Sequence, residues 1–562
     1  MFNKIRTELT VGNAYVRQND FDNRAFTFEL QETETSIKGI LTAKTELKMK
    51  SLEIETDMAF DDNDLFFANG YQSWSTTREY DKNYTVKDIF PIARKFGSFT
   101  SFISGIMSDY SFGDYYGKKG VFHAYTYSYM RKKGDNTITL YGSKSERKGF
   151  TLFIADMQKG KFIIKKDIEG LYLNKGESYE VFDIAIIKDE YDAAFDKYFF
   201  DFVGVKEPKV KHLAGYTSWY NYFSKINEEI ILRDLEGMDE KAKDCTDIFQ
   251  IDDGYQTATG DWLSIDKKKF PNGLKPIAEK IHEKGYLAGL WLAPFSAQFT
   301  SKVAKEHPDW MIKNEQTGRK ALGHIGWGGA YALDIYNEGA RNYIKHFFDV
   351  ILNDWGFDMV KLDFLFTICI KPRGGRTRGE IMCDGIDLLR EACGDKLILG
   401  CGVPLGACMG IFDACRIGCD ANKVFVGDFV NRLEINNEIP STQNSMINAI
   451  FRRHLDGRAF CNDPDVLFLR DENLKFNEEQ KLVLGKINAI CGNVLFVSDN
   501  MGDYNEKTLS YLKNFYTEKD HKVTSAEFIN DTDVKINFIE EGVEKELTFN
   551  LYTGEGNIYD CM

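Results

Sequence analysis

The chain has 562 residues, with 71 Lys and Arg against 86 Asp and Glu, for a formal net charge of -15. That length exceeds one hydrophobic core and predicts two or three domains. The acidic balance, with no compensating basic block, argues against nucleic acid or an anionic membrane as partner and fits a neutral small molecule.

The opening stretch MFNKIRTELTVGNAYVRQND has no apolar run of signal-peptide or membrane-spanning length, so neither export nor a membrane anchor is expected. Up to about residue 200 the pattern is short alternating runs, such as SIKGILTAKTELKMKSLEIETDM and GKFIIKKDIEGLYLNKGESYEVFDIAII, broken by Gly, Asn and Asp. This predicts an antiparallel β-sandwich. From about Lys211 short apolar strands alternate with amphipathic helices. The predicted strands are LAGYTSW, DIFQIDDG, YLAGLWLAP, DMVKLDFLF, KLILGCGVP, ACRIGCD, AFCNDPDV and NVLFVSDN. Among the helices, LKPIAEKIHEKG sets Ile277 and Ile281 one turn apart with Gly285 as a stop. EGARNYIKHFFDVILNDWG puts Ile344, Phe347 and Ile351 on one stripe. Eight β/α units in under 300 residues predict a (β/α)8 TIM barrel. The tail VKINFIEEGVEKELTFNLYTGEG returns to alternation with turns at Glu-Gly, a small β-domain. The expected domains are 1–205, 206–517 and 518–562.

All eleven cysteines lie from Cys245 onward without paired C-x-x-C motifs. Neither a disulfide framework nor a zinc ribbon is suggested, and the expected compartment is a reducing cytoplasm.

Barrel enzymes work at the C-terminal ends of their strands, and here those ends are rich in acids: Asp252 and Asp253 after the second strand, Asp363 the fourth, Asp420 the sixth, Asp463 and Asp465 the seventh, Asp499 the eighth. A single such Asp is more often a helix cap than a catalyst. Aromatic residues gather at the same level, with Trp219 and Tyr220 after strand one and Trp291 in strand three. Acids for hydroxyls and flat rings for C–H faces describe a sugar pocket. Phosphate cradling has no support, for there is no Walker loop and no strand-led G-x-G-x-x-G. Without a D-x-[DN]-x-[DN]-G loop or an H-x-x-x-H pair, no metal or other cofactor is expected.

DMVKLDFLFT reads as a strand whose one face is apolar and whose other carries Lys361 and Asp363. The pair is either a structural ion pair or a site. As a Schiff-base amine Lys361 would be poor, because Asp363 on the same face would keep it protonated.

IDDGYQ, GLWLAPF, VKLDFLF, ILGCGVPLG and RIGCD, in this order, resemble the melibiase-type α-galactosidases of glycoside hydrolase family 36, particularly their shorter bacterial members. The resemblance covers essentially the whole chain and implies the same sandwich, barrel and C-terminal β-domain. It implies that Asp363 is the nucleophile and Asp420 the acid/base. It further implies that Asp252, Asp253, Lys361 and Arg416 hold sugar hydroxyls, with Trp219 and Trp291 as pocket wall. Trp74 in NGYQSWS either reaches over from the sandwich to the pocket, as the resemblance implies, or is an ordinary buried tryptophan. The segment GCGVPLGA departs from the Cys-Ser-Gly-Gly-Gly of many longer members, at the place that would face C2.

If the resemblance holds, Lys361 donates to hydroxyls and keeps Asp363 ionised, and the reaction is a double displacement with net retention. Arg416 and Asp420 can then touch one sugar only if the chain bends between them, a bend expected at Gly418. Asn462 and Asp463 are read as supports, and Cys401 as either pocket wall or core. The expected function is a retaining α-galactosidase acting on a small carbohydrate. The alternatives are an α-N-acetylgalactosaminidase or a raffinose-synthase-like galactosyltransferase. A non-catalytic sugar binder would be expected to lack one of the two carboxylates.

Overall fold

The computed structural model describes residues 2–86, 117–314, 317–425 and 440–562. Among the described residues the alternating N-terminal runs form two seven-stranded antiparallel sheets. Along Ser36–Ala43 every second side chain is buried, Ile37 and Leu41 among them, as period-2 patterning requires. In Leu47–Asp57 the buried parity switches from Leu47 and Met49 to Leu52 and Ile54. It does so where the pairing slips at Glu8/Leu9, because one extra residue turns the following side chains to the other face. The helical segments Tyr191–Asp196 and Lys197–Val203 follow, closed by Gly204 at φ 82°.

The eight expected strands are all present. We number them β1 (Leu213–Thr217), β2 (Ile248–Ile251), β3 (Leu287–Leu292), β4 (Met359–Leu362), β5 (Leu397–Gly400) and β6 (Ala414–Arg416). The seventh, β7, has two pieces, Cys461–Asp463 and Val466–Leu467, and β8 is Val494–Val497. Neighbours pair in parallel from β1 to β6. The first piece of β7 pairs with β6, the second with β8, and β8 with β1, which closes the barrel. The break falls at Pro464, which has no N–H for a ladder, and at Asp465, whose φ is 80°.

The helix Lys275–Glu283 buries Ile277 and Ile281, and Gly285 follows at φ 93°. Glu338–Asp349 buries Ile344 and Phe347, and its π-helical continuation buries Ile351. β4 ends one residue before Asp363, and Leu365–Cys369 is a 3-10 turn. The expected strand through Thr367 is therefore too long, although the Asp363 amide still donates to the Leu292 carbonyl at the end of β3, at 2.8 Å. The C-terminal sheet comprises His521–Phe528, Asp533–Glu540 and Val543–Asn550. Its hairpin turns on Glu541 and Gly542, both at positive φ, as a two-residue turn favours.

Sandwich and barrel share a core. One apolar cluster runs from Phe67, Tyr127 and Phe195 into the barrel, while a second fills the sandwich interior. At the seam His454 is held by the hydroxyls of Tyr127 and Tyr191, each at 2.8 Å. Nearby, Arg452 donates to the carbonyls of Gly70, Gln72 and Ser73 in the sandwich and to that of Ile417 in the barrel. The loop that carries Trp74 is thereby fixed to the chain just ahead of Asp420. Among the described residues no helix is long and apolar enough to cross a membrane. All eleven cysteines are free thiols.

Candidate active site

Lys361 on β4 points to Asp252 just past β2: Nζ lies 2.9 Å from Asp252 Oδ2, with both side chains buried. Burial works against the ammonium, but the Asp252 carboxylate more than offsets it and holds Lys361 well above its usual range. Asp252 Oδ2 also accepts from Gln250 at 2.9 Å and Thr217 at 3.4 Å. The sequence sets Lys361 beside Asp363, but its hydrogen bond goes to Asp252, which the end of β2 brings alongside.

Asp363 takes other donors. The indole N–H of Trp291 donates to Oδ2 at 3.2 Å, and the Phe364 amide donates to Oδ1 at 2.8 Å. Phe364 itself sits at φ 53°, a left-handed conformation that is costly for an aromatic residue and more common at functional sites. Burial raises the Asp363 carboxyl, Lys361 opposes the rise, and the charge of Asp420 adds to it. Lys361 therefore favours the ionised carboxylate, but only as one influence among several. Trp291 is almost fully buried and acts as a donor to Asp363 as well as a wall.

Asp253 accepts from Gln256 at 2.5 Å and from the indole of Trp327 at 2.9 Å. Burial raises its carboxyl, and these two donors oppose the rise. Trp327 was not singled out in the sequence. Its signal is a lone tryptophan among glycines, GHIGWGGA, in the turn between Leu322–His324 and Ala330–Ala332, and its φ is 54°. Its ring meets those of Trp291, His324 and Phe364 at 5.6, 5.1 and 5.0 Å.

Arg416, fully buried at the end of β6, binds three carboxylates. Nη1 lies 2.9 Å from Asp420, Nε 3.1 Å from Asp463 and Nη2 2.7 Å from Asp465. The chain does bend between Arg416 and Asp420, at Gly418. Gly418 is not at positive φ, and an added Cβ would meet its neighbours at 3.4 Å, ordinary contact. The bend therefore does not depend on glycine's extra freedom. Asp463 accepts from Arg416 Nε through Oδ2 and from the Asp465 amide through Oδ1, the latter at 2.8 Å. Asn462 donates to the carbonyls of Arg452 and Cys491. Asp499 is bound by Arg470, by the Leu469 and Arg470 amides and by Tyr504, which makes it a loop tie.

Trp74 does reach the barrel. Its indole donates to Cys401 Sγ at 3.4 Å, and its ring meets Phe364 at 5.1 Å and Phe366 at 5.8 Å. Cys401 is buried, and burial pushes its thiol well up. A Cβ on Gly402 would fall 2.9 Å from the Trp74 ring and 3.2 Å from Asp363 Oδ1, so the backbone approaches closely there and only glycine fits. Trp219 opens the short helix after β1, half-buried, with its ring edge-on to Phe223 at 5.2 Å.

A sandwich and a closed barrel whose strand ends gather braced carboxylates under tryptophans define a barrel protein built around one polar mouth. Residues 217–375 match the Melibiase family model. That segment holds Trp219, Asp252, Asp253, Trp291, Lys361 and Asp363, whereas Trp74, Cys401, Arg416 and Asp420 lie outside it. Among curated relatives, α-galactosidase 1 of Pediococcus pentosaceus is 30% identical over 178 residues, 29% of this chain and 22% of that protein. Mel36A of Lactobacillus acidophilus is 31% identical over 154 residues, 26% of this chain and 20% of the relative. The A type blood α-D-galactosamine galactosaminidase of Flavonifractor plautii is 33% identical over 132 residues, 22% of this chain and 12% of the relative. The matched stretches thus span less than a quarter of these relatives' length.

The likeness of fold extends further. TtGalA, an α-galactosidase of Thermus thermophilus solved with p-nitrophenyl α-D-galactopyranoside, superposes with a TM-score of 0.70 at 22% identity, covering 96% of this chain and 98% of that one. The family 36 α-galactosidase AgaA of Geobacillus stearothermophilus gives 0.60 at 13% identity, covering 96% and 80%. The melibiase-type resemblance read in the sequence therefore holds for the central segment, within the fold of the family 36 α-galactosidases.

Proposed function

We propose that the protein is a retaining, exo-acting α-galactosidase, a glycoside hydrolase that releases terminal α-D-galactosyl residues from small carbohydrates in the cytoplasm. One observation carries the reading. Asp363 and Asp420 are only half-buried, whereas the charged groups that brace them, Lys361, Asp252, Arg416, Asp463 and Asp465, are buried. Two reachable carboxylates on a rigid polar frame are what glycosyl transfer by double displacement requires.

In this reading Asp363 attacks the anomeric carbon while Asp420 passes a proton to the leaving oxygen. Asp420 then takes a proton from the water that breaks the galactosyl-aspartate bond, and two inversions give net retention. Asp252, Asp253, Lys361 and Arg416 face the sugar hydroxyls, with Trp74, Trp219, Trp291 and Cys401 around the ring. Trp74 lies on Cys401 and against Gly402, the segment that the family resemblance sets opposite C2. A wall so tightly filled favours a hydroxyl there over an N-acetyl group. We take residues 1–205, 206–517 and 518–562 as the domains, a division supported by the left-handed Gly204 at the first junction.

The test is turnover of aryl α-galactoside and aryl α-N-acetylgalactosaminide side by side, with and without a sugar-alcohol acceptor, the products followed by NMR. α-Galactose as the first-formed product is expected. Turnover of the N-acetyl substrate alone, or β-galactose appearing first, would refute the proposal.

A further inference from the structure

Resting on that reading, we propose that Asp465 is the positioning residue of the general acid, setting both where Asp420 stands and how firmly Asp420 keeps its proton. Two contacts give Asp465 this control. Its Oδ1 lies 2.7 Å from Arg416 Nη2, and the same guanidinium reaches Asp420 through Nη1. Its Oδ2 accepts at 2.6 Å from the amide of Ala421, the residue directly after Asp420. One carboxylate thus holds both the cation beside the acid and the backbone that carries it.

The electrostatic argument follows from the count of charges. A guanidinium 2.9 Å from a carboxylate favours the ionised form, which suits a base and hinders an acid. Asp420 has to serve as each in turn. Asp463 and Asp465 hold the same guanidinium, so Asp420 shares its cation with two further carboxylates. Asp465 is itself fully buried. It is fixed from the β1 side by the Tyr220 hydroxyl, 2.7 Å from each oxygen. Its backbone carbonyl accepts from Asn488 on the helix Glu478–Cys491. Burial, opposed by Arg416 and reinforced by Asp420 and Asp463, pushes the Asp465 carboxyl up to about 7. Among the described residues the Cys419 and Cys401 thiols and, farther off, Asp363 also face this pair. The left-handed φ of Asp465 is the backbone cost of aiming its side chain back under β6.

The experiment compares Asp465→Asn with wild type. Removing the charge that Asp465 carries above about pH 7 leaves Arg416 less compensated there, so Asp420 gives up its proton more readily. The basic limb of the kcat/KM profile should move to lower pH by about one unit or more. Activity on a galactoside with a poor leaving group should fall at least tenfold more than on p-nitrophenyl galactoside, whose leaving group needs little protonation. A merely structural role would lower both substrates equally and leave the limb in place, which would overturn the proposal.

Tyr220→Phe weakens the ionised form of Asp465 without changing the fold's charge, and should shift the limb the same way if the first variant fails to fold. A readout independent of turnover separates this inference from the assignment of function. In infrared pH titration, the carboxyl band lost in Asp420→Asn should have its midpoint lowered in either variant. An unmoved midpoint overturns the inference even if the enzyme is an α-galactosidase, and a lowered one sustains it even if the substrate is another glycoside.

Discussion

Lys361 is bound to Asp252, 2.9 Å from Nζ to Oδ2, and not to Asp363 two residues along its own chain. The two tasks a lysine at this place could perform, neutralising Asp363 and holding Asp252, are therefore unequally filled. The ammonium is hydrogen-bonded to Asp252 and acts on Asp363 only through its charge, while an indole and an amide supply the hydrogen bonds of Asp363.

This gives different expectations for the neighbouring pair of acids. Asp252→Asn leaves a buried ammonium without its counter-charge, a loss of about 3–5 kcal/mol. It should therefore lower both kcat/KM and the denaturation midpoint. Asp253→Asn keeps that ion pair and should lower kcat/KM with little change in midpoint. Equal midpoints for the two variants in a denaturant titration would contradict the assignment of Lys361 to Asp252.

Trp327→Phe keeps the ring stacked among its neighbours and removes only the N–H that holds Asp253. A hydrogen bond to a charged group contributes about 1.5–3 kcal/mol, so kcat/KM should fall roughly 10- to 100-fold. Steady-state kinetics with circular dichroism as a control for folding would check it.

The two candidate catalytic carboxylates should separate by the anomer of a rescue product. Asp363→Gly leaves room for azide to attack directly, giving the β-galactosyl azide. Asp420→Gly retains the nucleophile, so azide meets the covalent intermediate and two inversions give the α-azide. NMR of the products distinguishes them, and exchanged anomers would exchange the roles.

His324 predicts a pH dependence of stability. The Gly326 amide donates to Nδ1 at 3.1 Å, which leaves Nε2–H to donate to Ser296 Oγ at 3.1 Å, and burial pushes the ring down to about 3 from its ordinary 6.5. The unfolded chain therefore binds a proton that the folded one refuses between those values. The contribution is intact above pH 6.5 and is lost as pH falls toward 3, at up to about 1.4 kcal/mol per unit. His324→Gln should flatten the acid side of the stability curve by that slope, measured by urea unfolding at several pH values.

Strand positions are legible in the sequence because apolar runs such as Leu287–Leu292 are buried on both faces, and the sandwich is legible because its faces differ. The candidate site is legible where spacing along one strand end brings residues together, as with Arg416 and Asp420. What escapes is direction. Parity along β4 pairs Lys361 with Asp363, whereas the hydrogen bond of Lys361 crosses to Asp252 at the end of β2, a partner 109 residues away that no apolar pattern announces. Trp327 escapes because its partner Asp253 is 74 residues away and joins it only through a turn between two short strands.

The grip of Arg452 on the Gly70, Gln72 and Ser73 carbonyls spans up to 382 residues of chain. At translation speeds of about 5–20 residues per second, the tryptophan loop leaves the ribosome roughly 20 to 75 s before the arginine that anchors it. The nascent sandwich thus spends that interval with one edge of its aromatic seam uncovered. The mouth of the barrel is assembled last, when nearly all of the polypeptide has been made.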